Sequence, residues 1–294
     1  MQIIGMTLLV MQPRLNAGAQ MTIVDDAYKI LCEQVLRHGY IRPSRVGETL
    51  SLPGLSIKTW DVANEFPVLS SRKIFMRGIL GELAAFLQGA TLLRQFREQG
   101  CNYWDHNAAQ WENNQGVPAE YQQVGRIYSA QWRSWGVTGL DQIKTLTTSI
   151  KADPYGRRHL LTTWNPEELD QACLPPCHLL AQFYVRNMHL DCIVYMRSVD
   201  LALGLPSDLA LYAALLMLVA KETGYVPGAL HMQFGDAHVY KQHVVNLHAQ
   251  LQRIPPVMGP SAVLDHTASL DNFTADMLTL HDYQPLEAIK YELF

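Results

Sequence analysis

Val24, Ala27, Tyr28, Leu31 and Val35 recur at helical spacing and Gly39 follows as a stop, which predicts an amphipathic helix. Residues 74–87 are apolar nearly all round, as in a helix buried on most sides. Ile143, Leu146 and Ile150 stripe a third helix that ends before Pro154. Residues 159–164 read as a strand, and 179–185 and 190–196 as two more, joined by a tight turn at Arg186-Asn187. A helix over 209–222, a strand over 229–234 and a helix over 239–251 complete the pattern. Strands and helices mixed without regular βαβ alternation predict an α+β domain. Residues 1–22 carry no recognisable signal and read as an N-terminal extension of unknown role, with one domain over 23–294. The polar stretch 102–123 has weak periodicity and reads as an insertion or substrate-side loop.

Composition narrows the class. The chain has 294 residues, 48% hydrophobic and 17% charged, and can bury a sizeable core. A formal net charge of −4 argues against a nucleic-acid polymer as main ligand, though not against a local arginine cluster for one phosphate. The apolar run 209–220 is too short to cross a bilayer, and Ile3 to Met11 lacks the basic start and cleavage site of a signal peptide. Five irregularly spaced cysteines fit reduced thiols, and the expected location is the cytoplasm.

The chemistry concentrates in a few segments. Leu174-Pro175-Pro176-Cys177-His178 offers a thiol held by two prolines beside a histidine. A thiolate is a strong nucleophile once a cation or base activates it. His178 adds little by adjacency, since neighbours on a strand point to opposite faces. Cys32, Cys101 and Cys192 read as buried structural cysteines, and the Cys173–Cys177 spacing is not a standard zinc or redox pair. Glu82 sits mid-helix in an apolar stretch, where a carboxylate must be paired, neutralised or used. Arg45, Arg157, Arg158 and Arg197 would match a phosphomonoester if folding gathers them. Gly235-Asp236-Ala237-His238-Val239-Tyr240 reads as a turn into a helix, with a histidine and a tyrosine suited to a sugar hydroxyl. His243 and His248 read as surface helix residues.

These segments, with Ser44-Arg45-Val46-Gly47-Glu48, Phe66-Pro67-Val68-Leu69, Phe86-Leu87-Gln88-Gly89, Gln131-Trp132-Arg133, Arg197-Ser198 with Asp200, and Gly204-Leu205-Pro206, resemble the thymidylate synthase family in order and spacing from about Asp25 to Lys290. The resemblance implies a mixed sheet flanked by helices and a homodimer joined through that sheet. It implies that Cys177 adds to C6 of a pyrimidine, making C5 a nucleophile toward 5,10-methylenetetrahydrofolate, the co-substrate, with no metal. Glu82 would organise proton transfers and Tyr128 would help remove the C5 proton. Arg45, Arg197 and Ser198 would bind the nucleotide phosphate, with Arg157 and Arg158 reaching in from the partner subunit. His238 and Tyr240 would hold the sugar, Asp200 the pterin, with Trp104 and Leu174 packing near it.

Asp208, in Gly204-Leu205-Pro206-Ser207-Asp208, stands where the family usually carries an asparagine that reads uracil. An amide can donate to O4 and accept from N3–H at once, whereas cytosine presents an amino donor and a bare N3. An aspartate accepts from that amino group, and one added proton, on N3 or on the carboxylate, completes a two-bond match. Uracil would set O4 against a carboxylate, a costly mismatch in a buried site. The exchange resembles the cytidylate-specific branch, the deoxycytidylate and cytidylate hydroxymethylases. Asn107, Ser129-Ala130, Met196 and the ending Tyr291-Glu292-Leu293-Phe294 also depart from the methylating pattern. The expected activity is therefore hydroxymethylation of a cytosine nucleoside monophosphate, dCMP foremost. Methylation of dCMP and thymidylate synthesis from dUMP are the alternatives, and a nucleotide- or RNA-binding family member is the non-enzyme alternative.

Overall fold

The computed structural model describes residues 22–59 and 61–292. The predicted extension up to residue 21, with its Ile3 to Met11 run, and the last two residues of the tail lie outside the described residues. Along the chain run α1 (Ile23–His38), β1 (Tyr40–Ser44), β2 (Gly47–Thr59), α2 (Met76–Leu87), α3 (Leu93–Glu98), α4 (Asp105–Gln110), α5 (Tyr128–Arg133) and α6 (Gln142–Ala152). Then come β3 (Leu160–Thr162), β4 (His178–Arg186), β5 (His189–Met196), β6 (Val199–Asp200), α7 (Gly204–Thr223), β7 (Val226–Tyr240), α8 (Val244–Leu251), β8 (Ser261–Leu264) and β9 (Leu278–His281). The architecture is α+β, as the pattern predicts.

A mixed sheet runs in the order β1-β2-β7-β5-β4-β3, with β6 beside β7, and β8 and β9 form a separate pair. The β5–β7 and β6–β7 pairings are parallel and the others in the main sheet antiparallel. Against it lies α7, buried along most of its length and stopped by Gly224 at φ 82°, where a glycine is cheapest. By length and apolar composition α7 could cross a membrane, but 78% of it is buried inside the protein, the mark of a core helix.

The start of α1 is fixed by Thr22, whose hydroxyl accepts from the Asp25 backbone N–H at 3.1 Å. Asp25 in turn accepts from the backbone N–H groups of Ser70 and Ser71 at 2.9 and 3.0 Å, tying the helix to the approach to α2. Gly39 ends α1 at an ordinary φ of −65°, and the glycine is required because a Cβ there would come 2.5 Å from the Val35 carbonyl oxygen.

Four expectations are corrected. The turn between β4 and β5 lies one residue later, at Asn187 and Met188, both with positive φ as a two-residue hairpin demands. Residues 235–240 do not turn into a helix: β7 runs through them, paired to β2 as far as Tyr240 opposite Thr49. Gly235 serves packing there, since a Cβ would come 2.9 Å from the Arg197 carbonyl oxygen. The following helix begins at Val244, and His243 is buried, its Nε2 2.9 Å from the Glu292 carbonyl oxygen. His248 is exposed, as expected. Finally, the 102–123 segment is not a plain loop: it carries α4 and buries Trp104 and Ala108.

Candidate active site

Cys177 sits in the turn that enters β4, and its loop is held from two sides. Arg197, at the end of β5, donates from Nε to the Pro176 carbonyl at 2.7 Å and from its terminal nitrogen to the Pro175 carbonyl at 2.8 Å. Its backbone N–H reaches the Cys177 carbonyl at 2.8 Å. From the other side the Tyr128 hydroxyl accepts the backbone N–H of Cys177 at 2.7 Å and that of His178 at 3.4 Å. Proline leaves carbonyls without a matching N–H, and here an arginine fork takes up two of them. Burial pushes the Cys177 thiol up; Arg197 opposes this, Asp208 adds to it and Arg45 opposes it again.

Glu82 is the one residue between Gly78 and Leu87 on α2 that is not fully buried. Gly81 beside it lets the Gln99 segment press on the helix, because a Cβ there would overlap the Gln99 carbonyl oxygen at 2.1 Å. The Trp104 indole N–H donates to Glu82 Oε1 at 2.8 Å. Burial pushes the Glu82 carboxyl up to about 7; the Trp104 bond and His178 pull it down, and Asp208 pushes it up. Phe86, Trp104 and Tyr128 pack behind it, with ring centroids 5.0–6.3 Å apart. A carboxyl poised near neutrality can both give and take a proton.

Asp208 lies near the start of α7, in its second turn, where its Oδ1 is 3.1 Å from His178 Nε2. His178 therefore joins the site, against the expectation from strand alternation. Cys177 precedes β4, which begins at His178, so strand alternation does not govern the step between them.

The remaining candidates divide. Ser198 Oγ is 3.5 Å from His238 Nδ1, and the His238 and Tyr240 rings meet edge-on at 5.2 Å, so these three lie together, Ser198 just before β6 and the other two on β7. Asp200 accepts from the Ala202 backbone N–H at 2.8 Å, and burial raises its carboxyl above the usual range. Leu174 packs partly buried on the core next to the Cys177 loop. Arg45 projects from the β1–β2 turn, exposed, close enough to act on Cys177 and Tyr240. Arg157 and Arg158 are exposed on the loop before β3, with no contact to Arg45 or Arg197 among the described residues. Among the departures from the family pattern, Ser129 and Met196 are buried in the core and Asn107 is half-exposed on α4. All five cysteines are free.

A held thiol near Arg197, Asp208 and Arg45, with the near-neutral Glu82 carboxyl close to Asp208 and His178, brings together groups suited to nucleophilic attack and proton transfer. The family model for thymidylate synthase matches residues 26–294. Bifunctional dihydrofolate reductase-thymidylate synthases of Leishmania major and Leishmania amazonensis are each 36% identical over 282 residues, covering 90% of this chain and 54% of the relative. The chain thus spans about half the length of the curated relatives it matches, and it belongs to the thymidylate synthase family.

Proposed function

We propose that this chain transfers a one-carbon unit from 5,10-methylenetetrahydrofolate to C5 of a cytosine nucleoside monophosphate, dCMP foremost, and leaves it as a hydroxymethyl group. The observation that carries the choice of base is Asp208, a carboxylate beside His178 in the pocket of Cys177. Its oxygens accept from the 4-amino group of cytosine and repel O4 of uracil.

Cys177 Sγ bonds to C6, and C5 attacks the methylene carbon of the folate. The C5 proton leaves by way of Tyr128 and Glu82, whose carboxyl near 7 suits the transfer. Breaking the bond to nitrogen releases tetrahydrofolate and an exocyclic methylene. Water adds to that carbon, and departure of Cys177 from C6 restores the ring; no electrons are exchanged overall. Hydride delivery from the folate instead of water would give the methyl product and dihydrofolate, the second reading.

Arg45, Arg197 and Ser198 take the phosphate, and His238 and Tyr240 the sugar. Trp104, Leu174 and Asp200 border the pterin. A cavity of about 620 Å³ beside α2, lined by Phe75, Leu80, Lys73 and an Arg77 paired with Asp276 at 3.5 Å, offers apolar surface and the Lys73 cation to the anionic tail of a folate. The open face of the sheet carries Leu160, Leu180, Tyr184 and Tyr195, half-exposed apolar side chains that support a homodimer formed through the sheet. The partner's Arg157 and Arg158 then complete the phosphate site. Free thiols at all five cysteines fit a reducing cytoplasm.

The test is incubation with dCMP and methylenetetrahydrofolate, with the nucleotide product read by mass and the folate product by absorbance. Hydroxymethyl-dCMP with tetrahydrofolate is expected; a methylated nucleotide with dihydrofolate would overturn the hydroxymethyl assignment.

A further inference from the structure

The loop between α6 and β3 carries Arg157 and Arg158 outward on a backbone fixed from within. His159, at its end, is 1% exposed, and both its ring nitrogens are engaged. Nε2 is 2.9 Å from the Asp153 carbonyl oxygen, and Nδ1 is 2.8 Å from Oγ of Ser149 in the last turn of α6. A carbonyl only accepts, so Nε2 carries the proton. Nδ1 of the neutral ring then accepts from the Ser149 hydroxyl.

The loop folds around this ring. The Gly156 N–H reaches the Asp153 carbonyl at 3.0 Å. A Cβ on Gly156 would come 3.1 Å from His159 Cε1 and 2.9 Å from an Asp153 carboxylate oxygen. Two bonds tie the backbone to β4: the His159 carbonyl accepts from the Phe183 N–H at 2.9 Å, and the Arg157 carbonyl from Gln182 Nε2 at 3.4 Å. The end of α6 is closed without the histidine ring, because the Asp153 N–H reaches the Ser149 carbonyl at 2.9 Å. The buried imidazole, satisfied at both nitrogens, therefore sets the conformation of the loop and not of the helix. What the loop holds out is two exposed guanidinium groups and Tyr155, 82% exposed. A loop set in advance loses little freedom when it meets a ligand.

We propose that His159 is a positioning residue that acts across the dimer: it presets the 153–158 loop so that Arg157 and Arg158 meet the nucleotide phosphate in the partner's site. This rests on the reading, given above, that these arginines are shared between subunits. The buried histidine of one chain thus sets the phosphate affinity of the Cys177 site of the other.

The experiment uses hybrid dimers of full chains, purified through two different tags, in which Cys177→Ala silences one site. KM and kcat for dCMP are read by tritium release from C5. The first hybrid pairs a His159→Leu chain with a Cys177→Ala chain, so the live site receives its arginines from a loop that keeps the histidine. The second pairs an unsubstituted chain with a Cys177→Ala/His159→Leu chain, so the live site receives them from the altered loop. Both hybrids carry the same substitutions, and a general loss of stability affects them alike. KM is expected to rise about fivefold in the second hybrid only, the effect of one net hydrogen bond, with kcat little changed. Ki for inorganic phosphate should rise in step. His159→Gln, whose amide can donate to the Asp153 carbonyl, should restore most of both. A KM raised in both hybrids alike, in the first only, or in neither overturns the inference. Arg157→Ala/Arg158→Ala in place of His159→Leu tests the reading beneath it. Activity lost in the second hybrid alone keeps the shared site, so an unmoved KM with His159→Leu then counts against His159 only. Activity lost in the first hybrid or in neither, or an active chain that is monomeric, overturns both. If His159→Leu does not fold, Ser149→Ala removes a partner of the ring and carries the same expectation.

Discussion

Replacing Trp104 by phenylalanine removes one donor from Glu82 and keeps a ring in the aromatic cluster. The indole N–H bond to Oε1 is 2.8 Å long, and it pulls the carboxyl down while burial holds it up at about 7. A hydrogen bond to a charged group contributes about 1.5–3 kcal/mol. At about 1.36 kcal/mol per pH unit, its loss raises the Glu82 midpoint by about one to two pH units. The lost packing volume slows the reaction at every pH and leaves the midpoint in place. The assay is the pH dependence of kcat/KM, followed by release of tritium from C5 of labelled dCMP, which reports groups of the free enzyme. A Trp104→Phe profile with its lower-pH limb shifted upward is expected. An unchanged midpoint with a reduced plateau would refute the assignment of that limb to Glu82.

Three further outcomes follow from the same geometry. Cys177→Ala is expected to abolish tritium release while dCMP still binds in a calorimetric titration; substantial residual turnover would remove Cys177 as the nucleophile. The Glu82 carboxyl, raised by burial from the ordinary 4.5 to about 7, makes the folded chain bind a proton that the unfolded chain has lost between those pH values. That contribution is complete below the unfolded value and disappears as pH rises through about 7. Glu82→Gln is therefore expected to flatten this part of the stability–pH curve in urea unfolding, and a curve identical to that of the unsubstituted chain would contradict the buried titration. Arg157→Ala/Arg158→Ala and Cys177→Ala chains, each inactive, are expected to regain activity when mixed and refolded together, because one hybrid site then has both its thiol and the partner's arginines; no recovery would contradict shared sites.

What the sequence made legible follows local chemistry. The spacing from Val24 to Val35 predicted α1, and an apolar run interrupted by one carboxylate predicted both α2 and the importance of Glu82. The β1–β2 hairpin was not legible, because its residues are largely exposed and show no clean alternation. Gly235-Asp236 looked like a turn, yet the glycine answers to the Arg197 carbonyl pressing on β7, a contact no local pattern announces. His178 gained little weight because strand neighbours alternate, yet β4 begins only at His178, so that rule does not reach back to Cys177. The Arg197 fork on the two proline carbonyls spans 21 and 22 positions, beyond the reach of local pattern. Long-range hydrogen bonds placed these residues, and only the fold could bring them together.

The central claim is that Asp208 selects cytosine. Its most direct test is the ratio of kcat/KM for dCMP over dUMP in the unsubstituted chain and in Asp208→Asn, under one set of conditions. The account predicts a preference for dCMP of about a hundredfold or more, reversed toward dUMP in Asp208→Asn. Equal rates on the two nucleotides, or a preference for dCMP that survives Asp208→Asn, would contradict it.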